Sequence, residues 1–192
     1  FRTKELDLAE LHGVLQRNFA GQEALRQRIL SGVPHYGNDD EEADTLAADW
    51  AEQLIRTTEA NRVGLHSYVP GFFCWIMHER FGQDTGATPD GRLAGWPLAD
   101  GAGAAQGRER CGPTAAVLST TRWSHRAVLG GLVHNAKFGR SQVQQPDGRR
   151  AVRQVIETYL QRGGFEIQVN VVSREDLLDA QVHPERHRDL LV

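Results

Sequence analysis

The first apolar residues of the chain recur at helical spacing. They predict a helix over residues 7–19, because side chains three and four residues apart lie on one face of a helix. Asp7 begins this helix and Glu10 follows three residues later, a pattern typical of a capping box. A second, shorter helix is expected over residues 22–30. The apolar stripe of the first helix consists of Leu8, Leu11, Leu15 and Phe19.

A longer helix is predicted over residues 40–61. Four acidic residues, 39–42, lie at its start, where carboxylates interact favourably with the positive end of the helix dipole. Four neighbouring carboxylates could also hold a metal ion, but the helix start already accounts for them, so we expect no metal site. The apolar face comprises Ala43, Leu46, Ala47, Trp50, Leu54 and Ile55.

The last third of the chain alternates between strand and helix patterns. Ser173 is expected to cap a helix, because Asp176 follows three residues later. Alternation of helices and strands is typical of an α/β fold. The other predicted elements are a strand within 129–138, a turn at 142–148, an amphipathic helix over 149–162 and a strand over 165–172.

The middle of the chain combines an apolar run with a long stretch rich in Gly and Ala. Tyr68–Met77 is a dense apolar run with the length of a buried strand, and a polar turn is expected after it at 78–82. Residues 83–112 are rich in Gly and Ala and show little periodicity. A stretch of this kind indicates a functional loop, or a loop that packs against further parts of a protein. Residues 113–122 fit either a helix or a strand.

Composition narrows the classes of function. The chain has 192 residues and a formal net charge of -3 without a strongly basic stretch, which argues against nucleic-acid binding. No run of apolar residues is long enough to span a membrane. The two cysteines, Cys74 and Cys111, are too few for a disulfide scaffold and fit free thiols in a cytoplasmic protein.

Local motifs supply little chemistry by themselves. His183 and His187 are four residues apart but lack the helical His-Glu-x-x-His pattern, so a solvated turn is favoured over a metal site. Cys74 lies within the apolar run and is interpreted as a core thiol. Cys111 has arginine neighbours and is expected to be exposed. Thr88–Arg92 has the residues of a type I turn.

Several segments, taken in chain order, resemble the pyruvate formate-lyase-like domain of glycyl radical enzymes. Each segment is weak alone, but together they follow the family's order over nearly the whole chain. The segments are Tyr36-Gly-Asn-Asp39, Thr85 to Gly95, Pro97-Leu-Ala-Asp-Gly101, Gly107-Arg-Glu109, Gly112-Pro-Thr-Ala115, Ser119, Asn135-Ala-Lys-Phe138, Gln168 to Ala180, Pro184-Glu185 and Leu190-Leu-Val192.

The resemblance implies an α/β fold, a ten-stranded β/α barrel built of two half-barrels and surrounded by helices. Residues 1–192 would form the second half-barrel, as an incomplete C-terminal part of one catalytic domain without a separate second domain. In this family a cysteine becomes a thiyl radical and a glycine stores the radical. The family's glycine motif would follow Val192 and its cysteine loop would precede Phe1. We therefore expect no catalytic residue within the chain and no activity from these residues alone.

The resemblance also implies partners. In this family a separate activating enzyme, which uses S-adenosylmethionine and an iron-sulfur cluster, installs the glycyl radical, so no bound cofactor or metal is expected. The expected partners are that activating enzyme and a small-molecule substrate. The full-length form is expected to be a cytoplasmic homodimer that binds neither nucleic acid nor a membrane.

Substrate-pocket residues follow from the same resemblance. The apolar run corresponds to a barrel strand, and alternate side chains, Phe73, Trp75 and Met77, would point into the cavity by strand period two. The alternative is that they pack against outer helices. Gln168 and Asn170 lie on another barrel strand beside the glycine loop. Polar side chains in an apolar strand need partners, so substrate or loop contact and structural bonding both remain open.

The size of two aromatic residues bears on the reaction. Phe73 and Trp75 are bulkier than the aliphatic residues expected here in the pyruvate enzyme. This favours a dehydratase or lyase that acts on a small polar organic substrate by thiyl-radical hydrogen abstraction. Formate C-acetyltransferase is the first alternative. The second is a catalytically inert remnant or interaction module, because the radical residues are expected outside the chain.

Overall fold

The structure is a computed structural model that describes residues 6–73 and 77–187. Within these two ranges, no helix is both long and apolar enough to cross a membrane.

The helices are α1 Leu8–Gln16, α2 Glu23–Gly32, α3 Glu41–Ala60, α4 Met77–Gln83, α5 Gly112–Thr120, α6 Arg140–Gln144, α7 Pro146–Gln161 and α8 Arg174–Val182. The strands are β1 Arg62–Val63, β2 His66–Ser67, β3 His134–Gly139 and β4 Ile167–Val172. Short 3-10 turns lie at His125–Ala127 and Pro184–Arg186.

Helix starts with a local cap lie where the sequence predicts them. The Asp7 carboxylate accepts from the Glu10 N–H at 2.8 Å, and the Glu10 carboxylate accepts from the Asp7 N–H at 3.0 Å, which confirms the capping box. Asp40 caps α3 by accepting from two N–H groups of the first turn, each at 3.1 Å. The Ser173 hydroxyl accepts from the Asp176 N–H at 3.0 Å and caps α8.

Three extended segments lie side by side and run in the same direction. β3 pairs with β4 in parallel, beginning with His134 opposite Ile167. Phe72 forms a parallel bridge with Leu132, just before β3. Parallel neighbours need a crossover connection, and α6 and α7 provide it between β3 and β4.

Helices cover one side of this sheet through two apolar clusters. The first cluster lies between α3 and the chain around Leu132, and the second between α5, α7 and β3. Burial of these side chains is the main source of stability in the sheet region. The first cluster contains Ala48, Ala51, Ile55, Ala102, Trp123, Val128 and Leu132. The second contains Val117, Ala136, Phe138, Val155 and Tyr159.

The apolar face predicted for α3 is largely wrong. Ile55 is buried, but Leu46, Trp50 and Leu54 are each at least half exposed. The side of α3 that packs on the core consists of two alanines, one isoleucine and one acid. Small side chains let the helix approach the chain closely, and this contact decided the buried face. That side comprises Asp44, Ala48, Ala51 and Ile55.

Three local predictions are also wrong. Met77 begins α4 instead of ending a strand, and the polar turn expected at 78–82 lies within this helix, because the Met-His-Glu-Arg sequence favours a helix and Glu79 lies in the first turn. Residues 142–148 are not a turn, since they belong mostly to α6 and α7, with Pro146 at the favoured first position of α7. The open choice at 113–122 is resolved as α5.

The Gly-rich stretch between α4 and α5 is fixed by a buried arginine. Arg92 is 6% exposed. Its guanidinium donates to the carbonyl oxygens of Trp96 at 2.6 Å and Leu93 at 3.1 Å, and to Thr88 Oγ1 at 3.2 Å. The Gly91 N–H donates to the Thr88 carbonyl at 3.0 Å, which confirms the predicted turn.

Asn38 fixes the other end of the same stretch. Its Nδ2 donates to the carbonyl oxygens of His35 at 3.0 Å and Arg108 at 2.8 Å. Its Oδ1 accepts from the N–H groups of Arg110 at 2.7 Å and Cys111 at 3.1 Å. One asparagine thus satisfies four backbone groups, three of them far away in sequence, and holds the end of the long loop against the segment before α3.

Candidate functional site

Helices cover one side of the sheet at β3, and we call the opposite side of the sheet the inner face. Residues paired across parallel strands point to the same side, and the side alternates along each strand. His134, Ala136 and Phe138 are buried on the helix-covered side. Their neighbours therefore point the other way. The inner face consists of Phe73, Asn135, Lys137, Gln168 and Asn170.

Strand register brings the two predicted polar residues onto the inner face. Gln168 lies opposite Asn135, and Asn170 lies opposite Lys137. Gln168 is exposed and Asn170 is half-buried. These four polar side chains form a row across two adjacent strands. The part that Gln168 and Asn170 play in binding stays a prediction.

Phe73 lies on the same face, but the other predicted pocket residues do not follow the strand pattern. A Cβ placed on Gly131 would lie 3.7 Å from the Phe73 Cβ, and Gly131 has the same strand parity as Asn135. Phe73 is 40% exposed. Trp75 lies outside the described residues. Met77 is the first residue of α4, so the period-two argument for its direction does not apply.

Asn135 and Lys137 are inner-face residues that were not predicted from the sequence. A signal was present, because both alternate with the apolar residues Ala136 and Phe138. Alternation of this kind is typical of a strand with one buried and one open side. This alternation is visible only when the strand is placed at 134–139, whereas the predicted range was 129–138.

Carboxyl groups of the Gly-rich loop approach the inner face. Asn135 Nδ2 donates to Asp100 Oδ2 at 3.1 Å. Loss of hydration raises the pKa of Glu109; the negative charge of Asp100 adds to this rise and the Lys137 ammonium opposes it. The site therefore combines amides, an ammonium and carboxyl groups. Such a set can hold hydroxyl and other polar groups by hydrogen bonds.

His134 lies behind the inner face in a buried polar and aromatic cluster. Its Nδ1 is 3.3 Å from Thr120 Oγ1, and its ring stacks on Tyr159 with the centroids 5.5 Å apart. Burial lowers the pKa of His134 to about 4 and raises the pKa of Tyr159 to about 12. Both rings are thus neutral at pH 7, as their apolar surroundings require.

We expect His134 to make the protein less stable in mild acid. In the unfolded chain its pKa is the ordinary 6.5, whereas in the folded protein it is about 4. The unfolded state takes up the proton first, so stability is full above pH 6.5 and falls as the pH drops towards 4, by about 3 kcal/mol in total. Urea unfolding at pH 7, 5.5 and 4.5 measures this fall.

The His134→Gln variant is the matched comparison for this experiment. Its amide can still bond to Thr120 but does not titrate. His125 has a pKa lowered by burial and contributes in the same direction, whereas the raised pKa values of Asp44 and Glu109 act in the opposite direction. The difference between wild type and variant therefore isolates His134. An equal acid sensitivity in both proteins would contradict the prediction.

The remaining titratable candidates form no site in the described ranges. No group of three or more His, Cys, Asp or Glu side chains there could hold a metal ion. His187 Nε2 lies 2.7 Å from Asp179 Oδ2, so it pairs with α8 instead of lying free in a solvated turn. Cys111 is exposed, as expected, and is the N-cap residue of α5.

The chain matches two family models that together cover most of its length. The model described as Glycine radical matches residues 98–192, and the model described as Pyruvate formate lyase-like matches residues 1–82. The chain belongs to the glycyl radical enzyme family. This confirms the family to which the motifs were assigned.

Two curated relatives illustrate this membership. The chain is 37% identical over 193 residues to the protein named Probable dehydratase YbiW of Escherichia coli (strain K12), which covers 95% of this chain and 24% of that protein. It is 34% identical over 200 residues to the isethionate sulfite-lyase of Bilophila wadsworthia (strain 3_1_6), over 100% of this chain and 23% of that protein. The chain spans about a quarter of the length of these relatives.

A solved structure supports the fold. The hydroxyproline dehydratase from Clostridioides difficile, with trans-4-hydroxy-L-proline bound, superposes with a TM-score of 0.91 at 30% identity, over 100% of this chain and 24% of that chain. The parallel strands, the covering helices and this match confirm the predicted fold class, a partial β/α barrel of the glycyl radical enzyme type.

Proposed function

We propose that this chain is part of a dehydratase or lyase that acts on a small polar organic substrate by thiyl-radical hydrogen abstraction. The observation that carries the proposal is the similarity, over 95% or more of this chain, to relatives named as a dehydratase and a sulfite-lyase. The inner face supports it, because its amides and charged groups suit a substrate with several polar substituents.

The residues of this chain would bind and orient the substrate. Gln168 and Asn170 present amide groups that both donate and accept hydrogen bonds. Phe73, from the segment that pairs with the other edge of β3, would supply an apolar wall and restrict the orientation of the substrate. Precise orientation matters in this chemistry, because hydrogen abstraction needs the reacting atoms in contact and other C–H bonds held away.

The partners of the whole enzyme belong to the same proposal. A separate activating enzyme would install the glycyl radical, so the protein would bind no further cofactor. We also infer a homodimer in the full-length form and a cytoplasmic location. The redox setting supports the location, since an exposed free thiol such as Cys111 is typical of reducing compartments.

Turnover by the activated full-length enzyme tests the proposal. The enzyme would be incubated with isethionate, trans-4-hydroxy-L-proline and glycerol, and products would be measured by mass spectrometry. We expect elimination from one or more compounds of this chemical class. Gln168→Ala and Asn170→Ala should each lower kcat/KM by about tenfold, because each leaves a polar group of the substrate without its partner.

A helix-surface variant is the control for these substitutions. Gln161 is exposed at the end of α7, so Gln161→Ala should leave kcat/KM unchanged. Conversion of pyruvate and coenzyme A to acetyl-coenzyme A and formate, with no elimination from the other compounds, would overturn the proposal in favour of a formate acetyltransferase.

A further inference from the structure

We propose that Asn135 contacts a hydroxyl group of the substrate and that Asp100 is the positioning residue that holds the Asn135 carboxamide in its binding orientation. This inference rests on the proposed function, whose polar site it extends. Neither residue is among those predicted from the sequence.

The edge of β3 changes its neighbour within two residues. The Phe72 N–H donates to the Gly131 carbonyl at 2.8 Å. Two residues later, the Ala102 N–H donates to the Val133 carbonyl at 2.9 Å. Alternate carbonyls of a strand point to the same edge, so both bonds lie on one edge of β3. The N–H of His134, which lies between these two carbonyls in sequence, points to the other edge, where β4 lies, and donates to the Glu166 carbonyl at 2.9 Å.

This change of neighbour divides the edge of β3 between two segments. Phe72 bridges Leu132, and the loop residues 100–102 bond to the same edge at Val133. Phe73 and Asn135 both belong to the inner face, on either side of this change of neighbour.

The loop that bonds to the edge of β3 is held by contacts on two sides. Gly101 packs so closely that a Cβ there would lie 2.4 Å from the Val133 carbonyl oxygen. On its other side, the Tyr36 hydroxyl donates to the Ala102 carbonyl at 3.0 Å. Burial raises the pKa of Tyr36 to about 12, so this hydroxyl keeps its proton at working pH. Asp100 is therefore placed by backbone contacts on both sides.

Asp100 in turn determines how the Asn135 side chain is oriented. A carboxylate only accepts hydrogen bonds, so the group that faces Asp100 Oδ2 at 3.1 Å must be the Asn135 amide nitrogen. The Asn135 Oδ1 and the second N–H are then directed away from Asp100. An acceptor and a donor side by side match a hydroxyl group, which donates to the oxygen and accepts from the N–H.

Neighbouring side chains favour a hydroxyl over a strongly ionised group. Gln168 extends the amide row next to Asn135. The Lys137 ammonium is balanced by the Glu109 and Asp100 carboxyl groups nearby. The site therefore has no large excess of either charge, and hydrogen bonding decides what binds beside Asn135.

The test compares substitutions at both positions in the activated full-length enzyme, with the panel compound that wild type converts with the highest kcat/KM. Asn135→Ala should lower kcat/KM by about tenfold. Asp100→Asn, which has the same shape but can also donate, should lower it by about threefold, because it no longer selects one orientation of the amide. The double variant should be no worse than Asn135→Ala, since both act through one contact.

A second readout separates positioning from support of the fold. The increase in Tm caused by the same compound should shrink in both single variants, whereas Tm without the compound should change little. Asp147→Asn, at the exposed start of α7, is the control for removing a carboxylate. A fully additive double variant, or a fall in Tm without the compound and no change in kcat/KM, would overturn the positioning role.

Two outcomes distinguish this inference from the proposed function. If wild type eliminates from a panel compound and Asn135→Ala does so equally well, the proposed function holds and the inference is wrong. If wild type eliminates from none of them and converts pyruvate instead, the proposed function is wrong and the inference falls with it.

Discussion

Replacing Gly101 with alanine is expected to lower the free energy of unfolding by about 3 kcal/mol. Two costs add. Gly101 has a φ of +59°, a backbone conformation that alanine adopts only with strain. Its new Cβ would also lie 2.4 Å from the Val133 carbonyl oxygen and 2.8 Å from Val133 Cγ1, so the loop must move away from the strand. Urea unfolding followed by circular dichroism measures the change.

Alanine substitutions at two other glycines measure the strain separately from the clash. Gly107 has a φ of +73° but no atom within 4 Å of its Cβ position, so Gly107→Ala reports strain alone, about 1 kcal/mol. Gly86 has open space and no positive φ, so Gly86→Ala should change stability by less than about 0.5 kcal/mol. A loss at Gly101 no greater than at Gly107 would show that the contact with Val133 is not tight.

Gly101→Ala should also affect the proposed site. A shift of the loop away from Val133 separates Asp100 from Asn135. The activated enzyme should then lose kcat/KM to at least the extent of Asp100→Asn. This links the largest expected loss of stability to the same contact that the positioning role requires.

The second large effect is expected from Arg92→Met, with a loss of about 3 kcal/mol. Methionine keeps most of the apolar stem but removes every guanidinium donor. The carbonyl oxygens of Leu93 and Trp96 then lose this donor, and the Thr88 hydroxyl keeps only its bond to Asp90, around a side chain that is 6% exposed. Leaving such groups without partners is costly. Thermal and urea unfolding both measure this loss.

An exposed arginine provides the matched control. Arg153 lies on the open side of α7 and pairs with Glu157, at 2.6 Å. Arg153→Met should not change the unfolding midpoint measurably, because exposed ion pairs contribute little. Arg92→Lys keeps the charge but not the fork of donors, and we expect it to fall between wild type and Arg92→Met. Equal midpoints for Arg92→Met and Arg153→Met would show that Arg92 is not the centre of its loop.

Elements decided by neighbouring residues could be predicted from the sequence. The box of Asp7 and Glu10 and the cap at Ser173 involve partners three residues away, and both are confirmed. The buried face of a helix depends on which other segments cover it, and the sequence predicted it less well. The apolar face of α3 was assigned to its large residues, whereas close packing selected the small ones such as Ala48 and Ala51.

In the candidate site, too, some residues could be predicted from the sequence and others only from the tertiary structure. Gln168 and Asn170 could be named from their place in a matched strand, and Phe73 from its place in an apolar run. Asn135 and Asp100 could not be connected, since they are 35 residues apart and no pattern relates them. Met77 was misplaced because an apolar run does not show where a strand ends and a helix begins.

The sequence by itself determined the family and the polar alternation of β3 and β4, since motif order and local caps need only residues near one another along the chain. Only the tertiary structure decided which of these residues meet. The parallel register places Asn135 beside Gln168, and the loop held by Gly101 and Tyr36 brings Asp100 to them. The physical reason is that hydrogen bonds and close packing across the sheet depend on distances in space, which a spacing along the chain does not specify.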